Sequence, residues 1–224
     1  MHWTLFAARI LVVTATEGFR HDSIEVAEST IQELAAAQSA EVVFARTNDD
    51  LRSHIGFYGI SAVIFVNTTG ELDPVARQSL LAWVTRGGTF VGIHSATDTW
   101  HSSPEYIEMI GAEFASHPPD FEATFRIEAP SHLATKSLPS PHVMLEEIYS
   151  FANVAGDIHV LMTVDGAPVA WEKRYGNGEV LYTALGHRED VWQSPWFRAH
   201  VRGILTWTLA QQRAGGRRRA ASSP

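Results

Sequence analysis

The first long apolar stretch, residues 9–15 (RILVVTA), is a β-branched run without polar alternation. That is the pattern of a strand buried on both faces of a parallel sheet. The polar loop 16–22 follows. Beyond it Ile24, Ala27, Ile31 and Leu34 recur at helical spacing, predicting a helix to about Ala37 capped by Asp22 or Ser23. Residues 41–46 and 61–67 (SAVIFVN) read as the second and third strands. Asp73-Pro74 opens a helix with proline at its first position and Val75, Leu80, Leu81 and Val84 apolar. Gly87-Gly88 ends it, and residues 89–93 form the fourth strand. Strands alternating with helices predict a parallel sheet with right-handed crossovers, covered on both faces.

The second half follows a different pattern. A short helix over 104–110 and a polar loop over 115–120 precede strand-like runs at 123–128, 148–151, 159–164, 169–174 and 179–185. Asp165-Gly166 and Gly176-Asn177-Gly178 are hairpin turn signals, so this half is expected to extend the parallel sheet with antiparallel strands. An amphipathic helix over 196–210 closes the chain. No repeat or linker divides it, which predicts a single domain over 1–212 and a disordered tail over 213–224.

Composition narrows the function classes. A chain of 224 residues is long enough for one sizeable α/β core. A formal net charge of -8 argues against nucleic acid as a partner, the basic run Arg217, Arg218, Arg219 notwithstanding. With no cysteine, disulfides, thiolate metal ligands and cysteine nucleophiles are excluded. The apolar start has no basic leader region and no clear cleavage site, and no apolar stretch approaches the roughly 20 residues that span a bilayer. A cytoplasmic protein with no membrane partner is the expectation.

The chemistry-bearing residues collect after strand ends, where ligands bind in open α/β sheets. Thr14, Thr16, Glu17, Arg20 and His21 follow the first strand; Asn67, Thr68, Thr69 and Glu71 the third. His94, Ser95, Thr97 and Asp98 follow the fourth, in GGTFVGIHSATDTW, and His187, Glu189 and Asp190 follow the last, in LYTALGHRED. If the last strand runs parallel to the first four, all four groups share one rim. Helix caps and ordinary turns are the plain alternative for each group. His94 carries the strongest case, because an imidazole between an apolar strand and a helix start needs a polar partner, which Asp98 or another histidine would supply. His117, in the proline-bounded loop SHPPD, and Trp100, as an aromatic floor for a sugar ring, complete the expected pocket. Two chemistries fit. Imidazoles and carboxylates hold a divalent metal, Zn²⁺ being their usual guest, or they act directly as general acid and base. Neither an HExxH pair nor a G-x-S-x-G elbow around Ser95 is present.

Taken together, VVTATEGFRHDSI, VIFVNTTGELD, GGTFVGIHSATDTW, the EFASHPPDF loop and AWEKRYGNGEVLYTALGH resemble the ThuA-like family, named for a trehalose utilization protein, from about residue 9 to 210. The resemblance implies a flavodoxin-like, class I glutamine amidotransferase-like three-layer sandwich. In that comparison Gly92-Ile93-His94-Ser95-Ala96 stands where the amidotransferases carry a cysteine elbow, and His187-Arg188-Glu189 matches their H-x-E pair. Histidine in place of the cysteine rules against glutaminase activity. What the resemblance implies instead is carbohydrate catabolism: a disaccharide of the trehalose type or a keto-sugar derivative, hydrolysed or isomerised. His94, His187, Glu189 and Asp98 are then the catalytic set, with Glu189 orienting His187. Glu17, His21, Asn67, Thr97, Trp100 and His117 are the substrate contacts. A metal, if used, falls to His94, His187, His21 or His117. The partner is a small-molecule sugar, and a homo-oligomer is compatible with the reading. The rival is a non-catalytic sugar-binding or regulatory protein that has kept the pocket without its nucleophile.

Overall fold

Runs of Val, Ile, Leu and Phe with no polar position on either side fold as interior strands. The computed structural model describes residues 8–54 and 56–221, with side chains to residue 212. In it the runs become β1 (Arg9–Val13), β3 (Ala62–Val66) and β4 (Thr89–Ile93), buried throughout except at Arg9. β2 (Glu41–Ala45) pairs only with β1 and is partly exposed, as an edge strand should be. β11 (Gly178–Thr183) returns late in the chain to pair in parallel with β4, from Glu179↔Thr89 to Thr183↔Ile93. The parallel half therefore runs β2-β1-β3-β4-β11, a flavodoxin-like order.

Right-handed crossovers then dictate the layers. The chain steps from β1 outward to β2 through α1 (Ile24–Ala36), and in the opposite sense from β2 to β3 and β4 through α2 (Asn48–Ser53) and α3 (Pro74–Thr85). The reversal puts α1 on one face and α2 and α3 on the other. α5 (Glu189–Gln193) and α6 (Pro195–Ala221) pack with α1, whereas α4 (Pro104–Ile110) packs with α3. Past β11 the sheet continues with antiparallel β10 (Ala167–Tyr175), β9 (His159–Val164), β6 (Phe121–Ile127) and β7 (His142–Glu146), the expected extension. A separate pair, β5 (Glu113–Ser116) with β8 (Ser150–Ala152), lies beside it.

Several local expectations are redrawn. Ser23 precedes α1 without capping it, because its hydroxyl donates to the Gly186 and His187 carbonyls instead. α2 carries no amphipathic pattern, since Leu51 is its one buried residue; the Thr47–Asp50 capping box defines it. The strand expected at 148–151 shrinks to Ser150–Ala152, leaving Glu147, Ile148 and Tyr149 as a buried, non-strand segment. The helix expected to end at 210 is α6, which runs to Ala221; of the tail expected at 213–224, residues 222–224 and the side chains of 213–221 lie outside the described residues. Among the described residues no helix is long and apolar enough to cross a membrane.

Candidate functional site

The site begins where β4 ends. Gly92 allows close packing there, because a Cβ at that position would come within 2.9 Å of Ile110 and 3.1 Å of both Ala96 and Tyr182. His94 follows with φ +52°, a left-handed conformation that side-chain-bearing residues seldom adopt, and opens the 3₁₀ turn His94–Asp98. The turn directs the imidazole across the carboxyl ends of the sheet. Its Nδ1 lies 2.9 Å from the Ala184 carbonyl, just past β11. A carbonyl only accepts, so Nδ1 carries the proton and Nε2 presents a lone pair.

Four polar groups converge on that nitrogen. Tyr149 Oη lies 3.0 Å away, His21 Nε2 3.2 Å, His187 Nδ1 3.3 Å and Glu147 Oε1 3.5 Å. His21 comes from the loop after β1 and His187 from the loop after β11. Glu147 and Tyr149 come from the segment between β7 and β8. His187 Nδ1 is also 3.5 Å from Glu147 Oε1, and His117 Nδ1 reaches Glu147 Oε2 at 2.9 Å from the solvent side. His94 is fully buried, His21 and Glu147 nearly so, and His187 is about a quarter exposed.

Burial, reinforced by the neighbouring imidazoles, holds His94 well below the usual histidine range and His21 down to about 4. Both rings are therefore neutral at pH 7, the form in which imidazole coordinates a metal. Burial also raises the Glu147 carboxyl, against the attraction of His187 and His117, and pushes Glu146 up to about 8. It lifts the Tyr149 phenol well above its ordinary value.

The arrangement fits a metal ion. One atom each from His21, His94, Glu147 and His187 lie within 4.8 Å of one another, the one such group among the described residues. A tetrahedral ion with bonds of about 2.0–2.2 Å needs donor atoms about 3.3–3.6 Å apart. The four pairs given above span 3.2–3.5 Å. Without a cation the hydrogen bonding is over-subscribed, because one lone pair on His94 Nε2 faces several donors. The other His21 nitrogen, Nδ1, is buried without a partner and is not the one that faces the cluster.

Other predicted site residues fall elsewhere. Asp98 bonds His101 at 2.6 Å, and His101 in turn bonds Glu113 at 2.8 Å, so Asp98 is not the partner of His94. Glu189 is exposed at the start of α5, and the carboxylate beside His187 is Glu147 instead. Trp100 is wholly buried against Phe65 and Tyr106 with its Nε1–H on the Leu72 carbonyl, so it cannot floor a sugar site. Thr97 is buried on Tyr182 Oη at 3.1 Å. Glu17 is exposed and takes a hydrogen bond from Asn48. Asn67 is buried and donates to Ser23 Oγ and the Gly186 carbonyl.

The cluster opens into a cleft of about 480 Å³ lined by Phe19, His21, Asp22, His187, Arg188, Glu189 and Asp190, among others. Phe19 is 67% exposed with its ring edge-on to His21, the aromatic position that Trp100 was expected to fill. A larger cavity, about 670 Å³, lies at the opposite, amino-terminal strand ends between Trp83, Arg174 and Gln212 and holds none of the clustered histidines. Sequence reasoning missed Glu147, Tyr149 and Phe19. A Glu-Glu pair inside an otherwise strand-like segment is the one signal that pointed to the first.

The model of the family described as "ThuA: Trehalose utilisation" matches residues 9–208. The chain belongs to the ThuA family. Solved structures agree in fold with this ThuA-family protein. A putative ThuA-like protein from Bacteroides uniformis ATCC 8492 superposes with TM-score 0.77 at 15% identity, covering 93% of this chain and 94% of that one. A second, from Parabacteroides merdae ATCC 43184, gives 0.75 at 17% identity over 90% of each chain. A β-galactosidase from Bacillus circulans sp. alkalophilus gives 0.63 at 13% identity, over 93% of this chain but only 32% of that enzyme. Identities this low carry the fold alone. No curated protein matches the ThuA-family sequence described here.

Proposed function

We propose that this ThuA-family protein is a carbohydrate-processing enzyme in which His21, His94, His187 and Glu147 hold one divalent first-row transition-metal ion, zinc being the simplest match to the donor set. The single observation behind this reading is the convergence of three imidazole nitrogens and a carboxylate oxygen, all within 4.8 Å of one another, on the carboxyl rim. Bound there, such an ion would supply Lewis acidity to a carbonyl or hydroxyl oxygen only by accepting it as a ligand beyond the four protein donors. The protein's own groups do the rest. The Ala184 carbonyl keeps the His94 proton on Nδ1 and its lone pair inward. Tyr149 offers a hydroxyl proton beside His94 Nε2, and His117, partly in solvent, stands 2.9 Å from Glu147 Oε2 and orients that carboxylate. The Phe19 ring and the polar residues of the cleft suit the apolar face and hydroxyls of a sugar.

The family description, trehalose utilisation, favours a disaccharide of the trehalose type, with a keto-sugar derivative as the alternative from the sequence resemblance, and a cytoplasmic setting remains part of the proposal. Glutaminase chemistry has no place in it, since the chain has no cysteine. The test is elemental analysis of purified protein together with turnover of trehalose-type disaccharides and their keto derivatives, for the wild type, His94→Ala and His187→Ala. One equivalent of metal and turnover lost in both variants support the proposal. Sugar binding without turnover in the metal-loaded wild type replaces it with a binding or regulatory role.

A further inference from the structure

The cluster leaves one buried carboxyl unused. Glu146, the last residue of β7, is 0% exposed and is not one of the four groups that would hold the proposed ion. A carboxyl group enclosed this completely costs several kcal/mol unless hydrogen bonds compensate it. Its two oxygens are both occupied by backbone. Oε1 accepts the Glu147 N–H at 2.9 Å, and Oε2 accepts the Gly186 N–H at 3.0 Å. One side chain thus ties the Glu147 N–H to the N–H of Gly186, the residue before His187.

The Gly186 peptide is held from its other side as well. Its carbonyl accepts from Trp192 Nε1 at 2.8 Å, Asn67 Nδ2 at 3.1 Å and Ser23 Oγ at 3.2 Å, and Ser23 Oγ also lies 2.7 Å from the His187 carbonyl. Gly186 has φ +117°, and a Cβ there would lie 3.2–3.3 Å from Trp192 and Ile93, so the loop is built for this one path. This single carboxyl bridges two ligand-bearing segments about 40 residues apart in the sequence.

We propose that Glu146 is a positioning residue for the metal centre, setting the Glu147 carboxylate and the His187 imidazole at coordinating distance of each other. The inference rests on the metal reading above. It explains why a carboxyl stands where an apolar side chain would pack at lower cost: leucine would leave two buried N–H groups unpaired, and glutamine would turn an NH₂ toward one of them.

The experiment measures Zn²⁺ affinity by competition with a chelator, and the visible absorption of the Co²⁺-loaded protein, for wild type, Glu146→Gln and Glu146→Asp. Urea unfolding of the metal-free proteins runs alongside. The expected result is a zinc affinity about 10–100-fold lower in Glu146→Gln with an altered cobalt spectrum, while circular dichroism shows the fold intact. A lowered unfolding midpoint with wild-type zinc affinity and an unchanged cobalt spectrum means a merely structural carboxyl, and overturns the proposal. Glu146→Asp draws the carboxylate back from one N–H and gives the same readouts if the glutamine variant does not fold. If wild type itself takes up no zinc, the metal reading fails separately. The positioning is then read from ¹⁵N-histidine spectra of metal-free protein, in which Glu146→Gln must shift the His187 ring signals while those of His159 stay in place. Unshifted His187 signals overturn it.

Discussion

The His94 ring donates its Nδ1–H to the Ala184 carbonyl at 2.9 Å, and this bond decides the chemistry available to the cluster. It leaves Nε2 as an acceptor facing two further imidazoles, a carboxylate and a phenol. A hydrogen-bond network satisfies such a set poorly, whereas a cation satisfies it at once. The bond joins the ends of β4 and β11, neighbours in the sheet although about 90 residues apart.

Metal binding should therefore stabilise the fold. Zinc at about 100 times its dissociation constant contributes roughly 2.7 kcal/mol. For a chain of this size that raises the melting temperature by roughly 5–10 °C. Chelation should reverse the shift. In His94→Ala, zinc should leave the melting temperature where it was, as differential scanning calorimetry would show.

Glu147 and Glu189 separate the structural assignment of the carboxylate from the sequence-based one. Glu147→Gln should weaken zinc binding about tenfold or more. Glu189→Gln, altering an exposed side chain, should leave it unchanged. Titration calorimetry on the two variants decides the matter, and the reverse ranking would restore the H-x-E pair as the working unit.

Trp100 and Phe19 are predicted to have opposite phenotypes. Trp100→Ala empties a fully enclosed site and should cost about 3–5 kcal/mol in urea unfolding. Phe19→Ala should change stability by no more than about 0.5 kcal/mol, yet raise KM for sugar substrates without lowering kcat. A Phe19→Ala enzyme with unchanged KM would remove the aromatic ring from the binding surface.

Glu172 should contribute to acid unfolding. Hydrogen bonds from His132 and His159, at 3.1 and 2.9 Å, hold its carboxyl down to about 2 from an ordinary 4.5. A value lowered by folding means stability fully present above about pH 4.5 and lost as the pH falls toward 2. The contribution is at most about 3.5 kcal/mol at neutral pH, from about 1.4 kcal/mol per unit. Glu172→Gln should be less stable at pH 7 and should lose stability less steeply between pH 4.5 and 2, as urea midpoints across that range would show.

The parallel half of the fold was legible because each of its strands is a local apolar run bounded by turn or cap signals. Thr89–Ile93 and Pro104–Ile110 fall where the pattern places them. The same pattern put His21, His94 and His187 on one rim, since parallel neighbours end on the same side of a sheet. Asp98 and Trp100 misled because nearness in sequence was taken for nearness in space. The tight turn after His94 carries Asp98 to His101, and Trp100, at φ +53°, turns into the core.

By itself the sequence determined the strand runs, the helix starts such as Asp73-Pro74, the absence of any thiol and the histidines at three strand ends. Those features depend on neighbours a few residues away. Tertiary structure alone decided which groups surround His94. Glu147 and Tyr149 arrive from the antiparallel extension, whose path is set by the pairing of β6 with β7 and β9, contacts that no local pattern encodes. The tautomer of His94, and so the lone pair it turns toward the cluster, follows from a carbonyl 90 positions away in the chain.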